Sequence, residues 1–381
     1  MEVHNTPVTK PVFKLNQPND QYKFLPLPLP TGNYPYHLDI QEVVPGIDTQ
    51  KMVFHMAGDT GNVKPDSQVH LIVKQMAAQF NTINEANRPR FLFHLGDIVY
   101  HHGEADRYAK QFFKTFEQYP APIFAIAGNH DSDVNPASAV PYQSLEAYTA
   151  VFCDTVSKPV SFSGGATRKS MTQPNPYFTL KTPLTNIIGL HTNIPKYGTV
   201  TPEQRAWFVN ELVTADAERP DKALLLCLHH APYSADTNHG SSQLMIELLN
   251  DVFEETGIRP DMVFSGHVHN YQRFNKLYPD GTVVPFIVAG AGGFDELNLI
   301  AQPDDDRYSN ESDLFDDVVL QNYRDREHGF LKMSIEKRAE GLAITGEYYT
   351  VTLNNGESTA TLADEFAVPA SQKQGGDLIY S

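Results

Sequence analysis

Five short motifs follow one another along this 381-residue chain: Gly58-Asp59-Thr60-Gly61, Gly96-Asp97-Ile98-Val99-Tyr100, Gly128-Asn129-His130-Asp131, His229-His230-Ala231-Pro232 and Gly266-His267-Val268-His269. Each collects Asp, Asn, His or Tyr, whose oxygens and imidazole nitrogens are the donors that hard and borderline cations select. Each also closes an apolar run that reads as a strand. A single such cluster arises by chance, whereas five of them at strand ends require a fold that gathers those ends around one site. Two metal ions in a hydrolytic centre are the chemistry this donor set suits.

The runs set the architecture. Met52–Ala57, Phe91–Leu95 and Pro122–Ala127 read as buried strands before the first three motifs. Between them lie segments of helical spacing, one beginning near Pro65 and running through Leu71, Met76, Phe80 and Ile83, another over about 104–118. After an irregular stretch rich in Pro, Ser and Gly over 132–183, alternation resumes: Thr185–Leu190 as strand, Pro202–Asp216 as helix, the apolar Ala223–Leu228 as strand, 241–254 as helix and Met262–Ser265 as strand. Val283–Val288 and Phe330–Ile335 add further strands, and Arg338–Thr352 a hairpin partner turning at Glu340-Gly341. Strands alternating with helices imply βαβ units in a largely parallel sheet, where ligands bind beyond the carboxyl ends of the strands.

These readings divide the chain into an extended Pro-rich segment (1–50, densest at Leu25–Pro30), a catalytic body (51–360) carrying an insertion at 132–183 that borders the site, and a tail (361–381). A content of 41% hydrophobic residues suffices for one large core. The net charge of −17, from 46 acidic and 29 basic residues, disfavours nucleic acid and anionic membrane surfaces as partners. A small anionic substrate then needs local positive charge, which bound metals supply. With two cysteines, Cys153 and Cys227, no disulfide framework is expected, and Cys227 reads as a small buried hydrophobe. The beginning of the chain lacks the basic start and apolar run of a signal peptide, so as written it reads as cytoplasmic, or as periplasmic or secreted if a signal has been removed.

In this order the five motifs resemble the calcineurin-like metallophosphoesterase superfamily over roughly residues 50–350, and within it the purple acid phosphatases. The resemblance implies a four-layer α/β/β/α sandwich with two metals held by the strand-end loops. Periodicity by itself specifies only a mostly parallel α/β fold. The resemblance also implies roles: Asp97 bridges the two ions, Asp59 and His269 complete the first, and Asn129, His230 and His267 hold the second. Where many members have Asp-x-His in the first motif, this chain has Asp59-Thr60-Gly61, and Tyr100 replaces the missing imidazole, as in purple acid phosphatases. A phenolate is a hard anionic donor, so Fe3+ is expected there, with Fe2+, Zn2+ or Mn2+ at the second position.

Adjacent strand residues face opposite ways, so only one of His229 and His230 can enter the site. The family pattern His-x-Pro with a second His nine positions later matches His230, Pro232 and His239, and selects His230. His267 and His269 can divide between two metals only if the backbone turns between them. The resemblance further implies attack of a metal-bound hydroxide on a phosphate monoester, with His130 and His239 binding phosphate or protonating the leaving group and Asp131 orienting His130. Phosphodiester or nucleotide hydrolysis on the same fold is the alternative, and a non-catalytic metal-binding regulator a more distant one. His55, His94 and His191 read as core or supporting histidines. His101 and His102 are left open, and Arg273 is a candidate for phosphate or for an ion pair.

Overall fold

In the computed structural model, which describes residues 9–16, 25–64, 68–82, 84–192 and 198–372, the strand-forming runs assemble into two mixed sheets packed face to face. The six-stranded sheet runs, edge to edge, Glu357–Pro369, Gly341–Asn354, Gly329–Arg338, Lys51–Ala57, Pro89–His94 and Ile123–Ala125. Its last three strands are parallel. The eight-stranded sheet runs Val318–Arg324, Tyr271–Leu277, Val283–Ala289, Met262–Ser265, Ala223–Leu228, Thr185–Gly189, Phe178–Lys181 and His37–Asp39. Val283–Ala289, Met262–Ser265, Ala223–Leu228 and Thr185–Gly189 are mutually parallel at its centre.

Period-two alternation makes both faces of each sheet apolar, and this produces the layers. Leu225 and Cys227 point between the sheets, where they join Phe54, Phe91, Phe93, Phe124, Phe264 and Ile287 in a central core. Leu224, Leu226 and Leu228 point the other way, onto helices Pro202–Asp216 and Gln243–Thr256 through Trp207, Phe208, Leu212, Met245 and Leu249. On the far side of the six-stranded sheet, Leu92, Ile123 and Ala125 meet Val69, Ile72, Phe112, Phe113 and Tyr148. Helix, sheet, sheet, helix is the resulting order.

The chain beyond 360, the 132–183 stretch and the second helix differ from the sequence expectation, and strands His37–Asp39, Tyr271–Leu277 and Val318–Arg324 are additional to it. Residues 361–369 belong to the outer strand Glu357–Pro369 rather than to a tail, because alternating side chains let that strand pair along nearly the whole of Gly341–Asn354. The 132–183 stretch contains helix Glu146–Phe152 and the sheet strand Phe178–Lys181, whose Phe178 and Leu180 reach the central core. Residues 104–118 form a short α-helix, Ala105–Tyr108, that widens into a π-helix over Ala109–Lys114. The first long helix is Val69–Ala78, and Pro65 and Ile83 lie outside the described residues. No helix among the described residues is long and apolar enough to cross a membrane.

Candidate metal centre

The carboxyl ends of the central strands of both sheets meet, and all five motifs lie there. Asp59, Asp97 and His267 leave their strands with φ of 58°, 54° and 68°. This left-handed region is uncommon for non-glycine residues and concentrates at functional sites. The loops are tied to one another: Asp59 N–H donates to Gly96 O at 2.9 Å and Thr60 N–H to Asp97 O at 3.1 Å. His267 N–H donates to Asp59 Oδ2 and His130 N–H to Asp97 Oδ1, each at 2.9 Å. The turn at His267 is the one its separation from His269 requires.

On one side, the buried Tyr100 hydroxyl lies 2.9 Å from Asp97 Oδ2, 3.2 Å from Asp59 Oδ1 and 3.2 Å from His269 Nε2. Burial and the two carboxylates push this phenol well above its ordinary pKa. It becomes a phenolate only beside a strongly charged cation. Gly61, where many members of the superfamily carry a histidine, and Tyr100 share one space. A Cβ at residue 61 would lie 2.5 Å from Tyr100 Cδ2 and 2.9 Å from Ile98 O, so the ring occupies the space a side chain there would need.

On the other side, Asp97, His229 and His267 bring one donor atom each within 4.8 Å of one another. His229 Nε2 is 3.1 Å from Asn129 Oδ1 and 3.4 Å from Asp97 Oδ2. His229, not His230, is therefore the histidine facing Asp97 and Asn129, a correction to the register match with His-x-Pro. Strand parity is the reason: residue 229 continues the inward face of Leu225 and Cys227, and residue 230 the outward one. His230 Nδ1 pairs with Thr192 Oγ1 at 2.7 Å, and its ring packs 4.6 Å from that of His267. Three motif glycines make room for the inward imidazole. A Cβ on Gly96 would sit 2.5 Å from His229 Nδ1, one on Gly128 2.7 Å from its Cε1 and one on Gly266 3.3 Å from Nδ1.

The electrostatics are those of a cation site. Burial disfavours the charged form of His229, yet Asp97 and Asp59 outweigh it and push its pKa up to about 9. Burial likewise opposes ionisation of Asp97, but His229 and His130 hold it below the usual carboxylate range. Asp59 is raised, chiefly by burial. His267 Nε2, in the second donor group, is buried without a hydrogen-bond partner, as is Nε2 of His230 outside it. Two donor groups that share Asp97, hold buried carboxylates together and leave imidazole nitrogen unsatisfied fit a pair of metal ions.

Around this centre, His130 Nδ1 donates to His101 O at 2.7 Å and its ring lies 4.3 Å from that of Tyr100. Asp131 does not orient it. Its carboxylate accepts from the N–H groups of Gly128 at 2.8 Å and of Ile98 at 3.0 Å, fastening the third motif to the second. His239 reaches the same cleft, with its ring 4.2 Å from that of His267. The buried Asp236, not singled out by any sequence pattern, accepts from the backbone N–H of His239 at 3.0 Å and lies 3.5 Å from its Nδ1. Phe294 also escapes sequence reasoning, and its ring lies 4.1 Å from that of Tyr100 and 4.4 Å from that of His269. The visible signal was Gly290-Ala291-Gly292-Gly293 after a strand: a Cβ on Gly290 would meet Asp59 Oδ2 at 2.8 Å.

His55, His94 and His191 support the sheets. His94 Nε2 bonds Thr60 Oγ1 at 2.8 Å, and His55 lies between Tyr119 and Gln79. Burial lowers both to about 3, so they are neutral. Gln204 brackets the His191 backbone, accepting from its N–H at 2.7 Å and donating to its carbonyl at 2.8 Å, while Trp207 fills the core. His101 is exposed beside His130, and His102 lies 3.9 Å from Asp133. Arg273 forms a two-point ion pair with Asp364 and points away from any phosphate role.

Comparison with known proteins agrees with this geometry. The family described as calcineurin-like phosphoesterase matches residues 52–271, more than half of the chain. Purple acid phosphatase 15 of Arabidopsis thaliana is 28% identical over 191 residues, 48% of this chain and 32% of that protein. Purple acid phosphatase 23 of the same plant is 27% identical over 202 residues, 51% of this chain and 39% of that protein. The chain thus spans well under half the length of these curated relatives. Among solved structures, purple acid phosphatase PPD1 from yellow lupin seeds superposes with a TM-score of 0.58 at 16% identity, covering 88% of this chain and 58% of that one. GAP50, described as the anchor in the inner membrane complex of Plasmodium, gives 0.53 at 14% identity, covering 85% and 90%. At such identities these two speak for the fold, the four-layer sandwich.

Proposed function

The chain belongs to the calcineurin-like phosphoesterase family, and we propose that it is a purple acid phosphatase-like hydrolase acting on small phosphate monoesters at two metal ions. The observation that carries this reading is the pair of donor groups sharing Asp97. In this assignment Asp59, Asp97, Tyr100 and His269 would hold one ion, and Asp97, Asn129, His229 and His267 the other. The hard phenolate donor favours Fe3+ on the Tyr100 side, with Fe2+, Zn2+ or Mn2+ opposite. When bound, such ions supply concentrated positive charge that polarises phosphoryl oxygens and acidifies water.

The protein's own groups do the rest. His130, with Nδ1 committed to the His101 carbonyl, keeps Nε2 to bind phosphate or to give a proton to the leaving alkoxide. His239, held by the Asp236 loop, is placed to share that task from the side of His267. His130→Ala is expected to lower turnover by about 10²–10⁴-fold while metal content, measured by atomic emission, stays at the wild-type level. Loss of metal in that variant would overturn the assignment.

The decisive assay is hydrolysis of paired chromogenic monoester and diester substrates by protein loaded with iron and with zinc or manganese, with Asp97→Ala as the blank. Monoester cleavage that disappears in Asp97→Ala is the expected result. Preferential diester cleavage would make the chain a phosphodiesterase, and a metal-replete site without turnover would make it a binding protein on this fold.

A further inference from the structure

Gln111 takes no part in the chemistry above, yet it is the side chain that grips the Tyr100 loop. It is buried on the π-helical stretch Ala109–Lys114. Its Oε1 accepts from Tyr100 N–H at 2.8 Å and from Asn62 N–H at 3.1 Å, and its Nε2 donates to Tyr100 O at 2.8 Å. Both backbone polar groups of Tyr100 are thus satisfied by one carboxamide, which also reaches the residue after the first motif. The π-helix makes this possible. Gln111, Phe112 and Phe113 are all buried, and three successive inward residues do not fit the apolar stripe of a regular α-helix. The wider turn, common at functional sites, presents the glutamine while both phenylalanines stay in the core.

We propose that Gln111 is a positioning residue that fixes the Tyr100 phenol as a metal donor. Because the carboxamide holds residue 100 at both its N–H and its carbonyl, the ring has one approach to Asp59, Asp97 and His269. The inference rests on the reading of Tyr100 as a ligand. Outer partners that orient a donor commonly change metal affinity or activity by about 10–100-fold when removed.

The test compares wild type, Gln111→Leu, Gln111→Glu and Tyr100→Phe, each metal-free and iron-loaded. The readouts are thermal unfolding, iron affinity and the visible phenolate-to-Fe3+ charge-transfer band. Gln111→Glu keeps an acceptor for the Tyr100 and Asn62 N–H groups and sets an oxygen against Tyr100 O where the amide donated, and thermal unfolding of the metal-free proteins identifies which variants fold. The expected result is a band in wild type, none in Tyr100→Phe, and in the Gln111 variants a shifted, weaker band with iron affinity lower by about tenfold or more and KM little changed. A band and an affinity unchanged in folded Gln111→Glu and Gln111→Leu would overturn the proposal while leaving Tyr100 as a ligand. Iron-loaded wild type without the band would overturn both.

Discussion

Replacing His229 with alanine is expected to empty the second metal position, whereas replacing His230 leaves it filled. Of the two, His229 presents its Nε2 to Asn129 and Asp97, and three glycines, at which a Cβ would crowd its ring, keep its place open. A bound ion contributes several kcal/mol of charge stabilisation to phosphoryl transfer, so His229→Ala should lower kcat by about 10³-fold or more. The loss should be compounded because Asp97 is left buried without its imidazole partner. His230→Ala removes a bond to Thr192 and a ring packed on His267. It should cost about 1–3 kcal/mol of stability and no more than about tenfold in activity, the low end for groups behind a ligand. Metal stoichiometry of the two variants separates the readings, and metal kept in His229→Ala but lost in His230→Ala would restore the His-x-Pro register.

That pair also shows what was legible in the sequence and what was not. The order of motifs, the helix Pro202–Asp216 and the strand Met262–Ser265 follow from periodicity and capping, which act over a few residues. The resemblance carried by the strand-end motifs points to Asp59, Asp97, Tyr100, Asn129, His267 and His269, and the structure gathers these side chains at one end of the sheets. The choice between His229 and His230 depends on which face of Ala223–Leu228 meets the other sheet. Both faces are uniformly apolar, as in any strand covered on two sides, so alternation carries no sign until the second sheet is in place. Gln111 and Phe294 stayed hidden for a related reason. Their partners are 11 residues away for Gln111 and 194 for Phe294, and nothing local in Ala-Lys-Gln-Phe-Phe announces a π-helix. Asp236 is only three residues from His239, and its role emerges once the loop folds its carboxylate onto the His239 N–H.

Gly61→Ala carries the second large effect, and it tests why a phenol and a missing first-motif histidine go together in this chain. The added methyl would lie 2.5 Å from the Tyr100 ring, 2.9 Å from Gln111 Oε1 and 2.9 Å from the Ile98 carbonyl. Real Cβ atoms do not approach so closely, so the ring, the carboxamide or the loop must move. Overpacking of this kind costs about 1–3 kcal/mol of stability, which thermal or urea unfolding measures. If the tyrosine is the part that yields, its hydroxyl leaves the position between Asp59, Asp97 and His269, and a displacement of about 1 Å at a donor lowers turnover by about 10²-fold. The cycle Gly61→Ala, Tyr100→Leu and the double variant then assigns the cause. Residues in contact show coupling of about 0.5–3 kcal/mol, and the methyl should be tolerated far better once the ring is gone. Additive losses in the cycle would mean that the glycine serves only the backbone of its own loop, and that tyrosine and glycine occur together for a reason other than shared space.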